Sequence, residues 1–412
     1  MSIRGFRRLM DWSGGGSKAG AVALAISAVA LAGCAGGAKR PVMTEAELQQ
    51  ESVADLREMA GATQVGTGKL FGRVTDRIEA SPDGQTTIHI LAMSGGGDYG
   101  AFGAGFLVGW GNAQDPSAQR PDFDFVSGVS TGALLAPFAY LGTDEACLQV
   151  EEFYRNPKKD WMKQNGMIPV LPGNASLMKI PGLERDIQAV FDDAFIAKMA
   201  ARSREGKVLA ISATDLDLGR QKFWDAGEEA ERIDAGEADA DRMHRILLAS
   251  AAIPSIFPPI EIDGSLYADG GVTANVLLRL DPNSPNGFIN RWAAAYPDRP
   301  LPRVRYWVII NNQLTHAPKT VQPRWMSILG PALETSIRSG TLAEVRWLAA
   351  EADYTKVKYD ADIEVRVVGI PDDWRAPVSG DFQQETMYSL SEVGRQMGAD
   401  PNSWQLWTTP QD

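Results

Sequence analysis

Residues 123–142 read FDFVSGVSTGALLAPFAYLG. Phe123-Asp124-Phe125-Val126 has the make-up of a short buried strand, and ALLAPFAYLG that of an apolar helix. Between them lies Gly128-Val129-Ser130-Thr131-Gly132, a G-x-S-x-G pattern. A serine at a sharp strand-to-helix turn is held on a strained backbone with its hydroxyl exposed and a helix N-terminus behind it. Glycines on either side let neighbouring backbones approach. The stretch therefore predicts an α/β fold with a nucleophile elbow, and makes Ser130 a candidate nucleophile. Such serines commonly use a histidine base, yet the chain has only His89, His244 and His316.

The α/β pattern repeats on both sides of this stretch. Residues 88–93 (IHILAM) and 207–214 (KVLAISAT) read as buried strands, and 303–310 (RVRYWVII) and 362–368 (DIEVRVV) as further ones. Helices are expected at 44–59, opened by the capping box Thr44-Glu45-Ala46-Glu47, then over AFGAGFLVGW, at 244–252, 323–351 and 382–397. The small residues of AFGAGFLVGW imply close packing against another element. Asp263-Gly264 predicts a hairpin turn within 260–268. The segment 61–86 is polar and glycine-rich and suggests no element, 226–242 reads as an acidic solvated stretch, and the proline-rich 281–302 as a surface excursion. Strands alternating with helices predict a largely parallel sheet.

Two further motifs bear on Ser130. Gly95-Gly96-Gly97-Asp98-Tyr99-Gly100 follows a strand and opens a helix, where freed backbone amides favour an anion, whether a pyrophosphate or a transient oxyanion. It also satisfies G-x-G-x-x-G, with Asp122 and Asp124 at about the spacing of a ribose-binding acid, so dinucleotide binding is a rival reading. A plain tight turn is another. Tyr267-Ala268-Asp269-Gly270-Gly271 follows the hairpin and taken alone is a turn.

In combination these blocks resemble the patatin-like phospholipase family. Ala213-Thr214-Asp215-Leu216, the run from Ser250 to Pro259 (SAAIPSIFPP) and DGGVTAN at 269–275 extend the likeness, giving five collinear blocks over roughly 86–312. The resemblance implies a three-layer α/β/α fold and a Ser–Asp dyad that needs no histidine. It assigns Ser130 as nucleophile, Asp269 as general base, and the amides of Gly95, Gly96 and Gly97 as an oxyanion hole. Gly100, Gly128, Gly132, Gly270 and Gly271 would support these. The implied activity is hydrolysis of carboxylic esters of lipids, with no cofactor. Two departures stand out: Tyr99 occupies a position that is usually basic in the family, and Val276 follows Asn275 where a proline is usual. Aspartate is a weak base, so proton transfer must accompany attack on the carbonyl, and a raised carboxyl pKa would help. Ala101-Phe102 and Ile256-Phe257-Pro258 are candidates to meet an acyl chain, or ordinary core.

His316 follows a strand and could complete a Ser…Asp…His order, which keeps a His316-dependent esterase as an alternative. A catalytically silent lipoprotein using the fold as a scaffold is another. No His, Cys or Asp cluster has metal-ligand spacing, so no metal is expected.

The N-terminus reads as an address. Arg4, Arg7, Arg8 and Lys18 precede the apolar run 19–32, and Leu31-Ala32-Gly33-Cys34 resembles the lipobox of bacterial lipoprotein signal peptides. That resemblance implies cleavage after Gly33, lipidation of Cys34 and, with Ala35 following, residence in the outer membrane of a Gram-negative cell envelope. The expected organisation is a signal at 1–33, a tether and short helix at 34–60, a catalytic core at 86–312, and C-terminal elements at 313–412 completing the same domain. The whole chain carries a net charge of −12. Without the signal, which holds four positive residues and one negative, it is near −15. Such a chain has no electrostatic reason to bind nucleic acid, and membrane attachment would come from acyl chains. Cys147, in an apolar stretch, is left without an intrachain disulfide partner.

Overall fold

The computed structural model describes residues 40–81, 84–166, 174–277, 287–315, 318 and 320–409. The signal, Cys34 and His316 lie outside them.

Nine strands form one sheet: β1 (Thr87–Met93), β2 (Phe125–Val129), β3 (Val208–Asp215), β4 (Arg220–Asp225), β5 (Ile260–Ile262), β6 (Ser265–Asp269), β7 (Arg303–Gln313), β8 (Ile363–Ile370) and β9 (Gln405–Trp407). The order is β9-β8-β7-β1-β2-β3-β6-β5, with β4 also on β3. The β8/β7, β7/β1, β1/β2 and β2/β3 pairs are parallel, and the remaining pairs are antiparallel.

Alternation along the central strands explains the layers. On β1, Ile88, Ile90 and Ala92 enter one core while Leu91 and Met93 enter the other. Both faces of the sheet must therefore be covered. One is covered by α2 (Gly100–Gly111), α3 (Thr131–Leu141), α4 (Asp144–Arg155), α5 (Pro181–Val190), α6 (Asp193–Arg204), α7 (Ala226–Asp234), α8 (Ala240–Ser250) and α11 (Gln384–Ala399). The other is covered by α1 (Glu45–Ala80), α9 (Phe288–Ala295) and α10 (Trp325–Tyr359). The expected α/β/α architecture with a largely parallel sheet is the one observed. The Asp263-Gly264 turn links β5 and β6, both residues having positive φ.

Three sequence expectations change. α1 keeps its capping box but runs on to Ala80, past several glycines. Leu70, Val74 and Ile78 supply a buried stripe, so tertiary packing overrides weak helix propensity. The acidic stretch after Asp225 is not merely solvated. α7 buries Ala226, Gly227, Glu229 and Ala230, and the Asp225 carboxylate caps it by accepting the Gly227 and Glu228 N–H groups, both at 3.0 Å. Within 281–302, α9 buries Phe288, Ile289 and Trp292 against the sheet and is no surface excursion.

Candidate active site

β2 ends at Val129 and α3 begins at Thr131, leaving Ser130 as the whole turn. Its φ of 55° and ψ of −126° place an L-residue where side chains are strained. A Cβ on Gly128 would stand 2.2 Å from the Gly132 carbonyl oxygen, and one on Gly132 2.1 Å from that of Met93. Both positions therefore require glycine. The Ser130 N–H donates to Ser250 Oγ at 2.9 Å, and that hydroxyl donates to the Ser212 carbonyl at 2.6 Å. These bonds help hold the strained turn.

Sheet register brings Asp269 to Ser130. β2 pairs with β3 only as far as Val129 opposite Ser212. β6 arrives from the opposite direction and ends with Asp269 opposite Ala213. β4 covers Ala210 to Asp215 along the other edge of β3, so β2 and β6 must share one edge, end to end. Ser130 and Asp269 stand at the meeting point, 139 positions apart in the chain. The Asp269 N–H donates to the Ala252 carbonyl at 2.8 Å, so the end of α8 and the residues just after it support both, through Ser250 and through Ala252. Burial pushes the Asp269 carboxyl up to about 6, against the opposing pull of hydrogen bonds from the Ser130 hydroxyl and the Gly271 N–H. The Gly271 bond is 2.8 Å long. A Cβ on Gly270 would lie 2.5 Å from the Ser212 carbonyl oxygen, so that turn too is tightly packed.

The glycine loop follows β1. Asn311, at the end of β7, fastens it: the Asn311 amide donates to the Ser94 carbonyl at 2.7 Å, and its N–H donates to Ser94 Oγ at 2.9 Å. The Gly95 N–H donates to Asn275 Oδ1 at 2.8 Å. Of the three amides assigned by resemblance, Gly95's is thus already engaged. The N–H groups of Gly96 and Gly97 have no acceptor among the described residues. Gly100 starts α2 with its Cβ position 2.1 Å from Thr131 Oγ1, which locks the loop against the elbow. Asp98 is buried, its carboxyl pushed up to about 6 mainly by that burial, and it accepts the Phe382 N–H at 3.0 Å. Tyr99 packs edge-on against Trp374.

These residues line one cleft of about 430 Å³. Ser130, Asp269 and Gly95 to Gly97 share it with an apolar wall that includes Met162, Ile253, Ile256, Phe257, Leu333 and Ile337. Ile256 and Phe257 thus face the cavity, whereas Ala101 and Phe102 are fully buried core. A buried strained serine, a carboxyl primed to take a proton, two free amides and apolar walls suit acyl transfer to an oxygen nucleophile. The hydrogen bonds by which Ser250, Asn311 and Asn275 hold the elbow and the glycine loop are not legible in the sequence. Ser250 and Asn311 carry only the faint signal of polar residues near the ends of largely apolar elements, and Asn275 sits in a loop.

The rival residues lie elsewhere. Asp122 and Asp124 precede β2, at its amino end, while the glycine loop leaves the carboxyl end of β1 beside it. Asp124 is fully buried against Arg73 at 3.0 Å and Arg77 at 3.1 Å, and Asp122 pairs with Arg202 and Lys207. Neither reaches a dinucleotide at the loop. His89 is a β1 residue packed on Trp307, with burial lowering its pKa to about 4. His244 is buried in α8, one ring nitrogen 2.8 Å from the Phe191 carbonyl. Cys147 is a buried free thiol pushed up to about 11 by desolvation. Among the described residues no group of three or more His, Cys, Asp or Glu could hold a metal, and no helix is long and apolar enough to cross a membrane.

Residues 91–280 match the family model described as patatin-like phospholipase. An uncharacterized protein of Acanthamoeba polyphaga mimivirus is 25% identical over 199 residues, which cover 48% of this chain and 62% of that protein. The chain therefore spans less than two thirds of the length of this curated relative. Among solved structures, VipD from Legionella pneumophila aligns with a TM-score of 0.35 at 11% identity, covering 80% of this chain and 70% of VipD.

Proposed function

We propose that this chain, in which residues 91–280 form a patatin-like phospholipase domain, is a serine acyl hydrolase that cleaves carboxylic esters of lipids with Ser130 as nucleophile and Asp269 as its base. The observation that carries this reading is the meeting of Ser130 and buried Asp269 at facing strand ends in an apolar-walled cleft.

The steps follow from the geometry. Ser130 Oγ attacks the ester carbonyl while its proton passes to Asp269, so no free alkoxide forms. A carboxyl near 6 is a better acceptor than an ordinary aspartate and is still mostly ionised at neutral pH. The amides of Gly96 and Gly97 receive the developing oxyanion, each donor being worth about 2.7–4 kcal/mol in comparable sites. Protonated Asp269 then gives its proton to the leaving alcohol. Water, activated by the same carboxylate, hydrolyses the acyl-enzyme.

The lipid anchor belongs to the same proposal. Cys34 would be lipidated in the cell envelope, at the outer membrane. Arg40, the first described residue, makes a two-pronged hydrogen bond to Asp217, in the turn after the carboxyl end of β3. The elbow lies at the carboxyl end of β2, parallel to β3, so Arg40 is held at the end of the sheet that carries the cleft, the side on which a lipidated Cys34 would favour a bilayer.

The test is direct. A fluorophosphonate probe should label the purified chain and not its Ser130→Ala variant, and Asp269→Asn should abolish ester turnover while His316→Ala retains it. Loss of turnover in His316→Ala with retention in Asp269→Asn would establish the histidine-dependent alternative. Absence of labelling would favour the silent-scaffold reading.

A further inference from the structure

The cleft contains an arginine that the ester chemistry above does not use. Arg338 lies on α10, outside the segment that resembles the family, and lines the same cavity as the glycine loop. Its side chain is only 10% exposed. One terminal nitrogen donates to Glu334 at 2.8 Å, one helical turn earlier. Its Nε is buried and has no acceptor among the described residues. A buried donor without an acceptor is costly, and such groups mark either strain or a place for a ligand atom.

The position favours a ligand. Ile337, the preceding residue, stands 3.6 Å from the Cβ position of Gly271, two residues beyond Asp269. Thr341, three residues on, accepts a hydrogen bond from the Asn275 side chain at 2.8 Å. This turn of α10 therefore lies against the loop that carries Asp269. The charge of Arg338 is felt at the Tyr99 phenol, and the loop GGGDYG itself supplies no cation. Among the described residues lining the cleft, Arg338 is the one with a fixed positive charge, beside the carboxyls of Asp98, Asp269, Glu334 and Asp381.

We propose that Arg338 is a specificity-determining residue that receives the phosphate of a glycerophospholipid while an acyl ester of the same molecule stands at Ser130. This rests on the acyl-hydrolase reading for its substrate, and on Arg338 alone for the phosphate. Glu334 holds one terminal nitrogen of the guanidinium at 2.8 Å and leaves the other terminal nitrogen to donate to a phosphate oxygen. Without Arg338 every charged group among the described residues lining the cleft is a carboxyl, so a phosphate meets net repulsion there. The discrimination is accordingly steep.

The experiment compares phosphatidylethanolamine with diacylglycerol of the same acyl chains, in the same mixed micelles, using the full chain. The ratio of their kcat/KM values should fall at least tenfold in Arg338→Gln and recover in part in Arg338→Lys. An unchanged ratio, or equal loss on both lipids, overturns the proposal. A second measurement needs no turnover. Glycerol 3-phosphate should raise the melting temperature of Ser130→Ala saturably, and the shift should vanish when Arg338→Gln is added. No shift in Ser130→Ala, or an equal one in both variants, also overturns it. If the wild type hydrolyses neither lipid yet the Arg338-dependent shift persists, the hydrolase reading fails and the phosphate site stands.

Discussion

Asn275 Oδ1 accepts the Gly95 N–H at 2.8 Å, while the amide nitrogen of the same side chain donates to Thr341 Oγ1 at 2.8 Å. One residue therefore ties the glycine loop, the loop after Asp269 and α10 together. Glu344 strengthens the tie by accepting the Asn275 and Val276 N–H groups at 2.8 to 3.1 Å. Asn275 is a positioning residue: it fixes where the next two amides point without touching the reacting carbonyl.

Asn275→Ala should accordingly lower kcat by roughly 10- to 100-fold, the scale of a displacement near 1 Å at a preorganised site. KM should change little, because the apolar walls remain. Steady-state kinetics beside a near-UV circular dichroism spectrum would check this. A parallel collapse of the spectrum would mean a structural role only.

The pH profile follows from Asp269. The base must be ionised, and burial pushes its carboxyl up to about 6. Hence kcat/KM should level off above pH 7 and fall about tenfold per unit well below pH 6. Asp98, pushed up to about 6 by burial in the same cleft, is the competing source of such a limb. The Asp98→Asn variant should retain the acidic limb if Asp269 is its origin. A flat profile in that variant would reassign it.

The same shift makes a stability prediction with a definite sign. In the unfolded chain Asp269 ionises near its ordinary 3.8, but in the folded chain only near 6. Between these values the unfolded state loses its proton first, so stability falls as pH rises through that window and stays lower above it. The penalty at pH 8 is on the order of 3 kcal/mol, at about 1.4 kcal/mol per pK unit. Asn keeps an acceptor for the Gly271 N–H, which now bonds Asp269 Oδ1. Asp269→Asn should thus melt several degrees higher than wild type at pH 8 while losing turnover, with the gain shrinking toward pH 4. Thermal melts at the two pH values measure it.

What the sequence made legible depends on how local the signal is. Ser130 and its elbow lie within ten residues of strand, turn and helix, and all the determinants are contiguous. Asp269 was identifiable only by resemblance, because its nearness to Ser130 comes from the end-to-end arrangement of β2 and β6 on β3, a matter of register that no local pattern encodes. The engagement of Gly95 with Asn275 spans 180 positions and was invisible for the same reason. The length of α1 is not legible locally, because glycines between 61 and 72 speak against a helix while the sheet face that stabilises it lies far along the chain. The small residues of α2 gave the opposite case. They announced a close neighbour without saying which, and the neighbour is α11.

That crossing yields the last prediction. A Cβ on Gly105 would stand 2.0 Å from the Ser391 carbonyl oxygen, and one on Gly394 2.1 Å from that of Phe102. The obstacle is backbone on both sides, which no rotamer change relieves. Glycine to alanine inside a helix ordinarily gains about 1 kcal/mol. Overpacking a rigid contact costs about 1–3 kcal/mol or more, so here the loss should win. Gly72 in α1 is the control, since its Cβ position has nothing within 4 Å. Gly72→Ala should therefore raise the denaturation midpoint slightly, and Gly105→Ala should lower it by about 1–2 kcal/mol in equivalent free energy. Chemical denaturation of the two variants beside wild type decides the matter, and a stabilised Gly105→Ala would show that α2 and α11 are farther apart than the crossing described above.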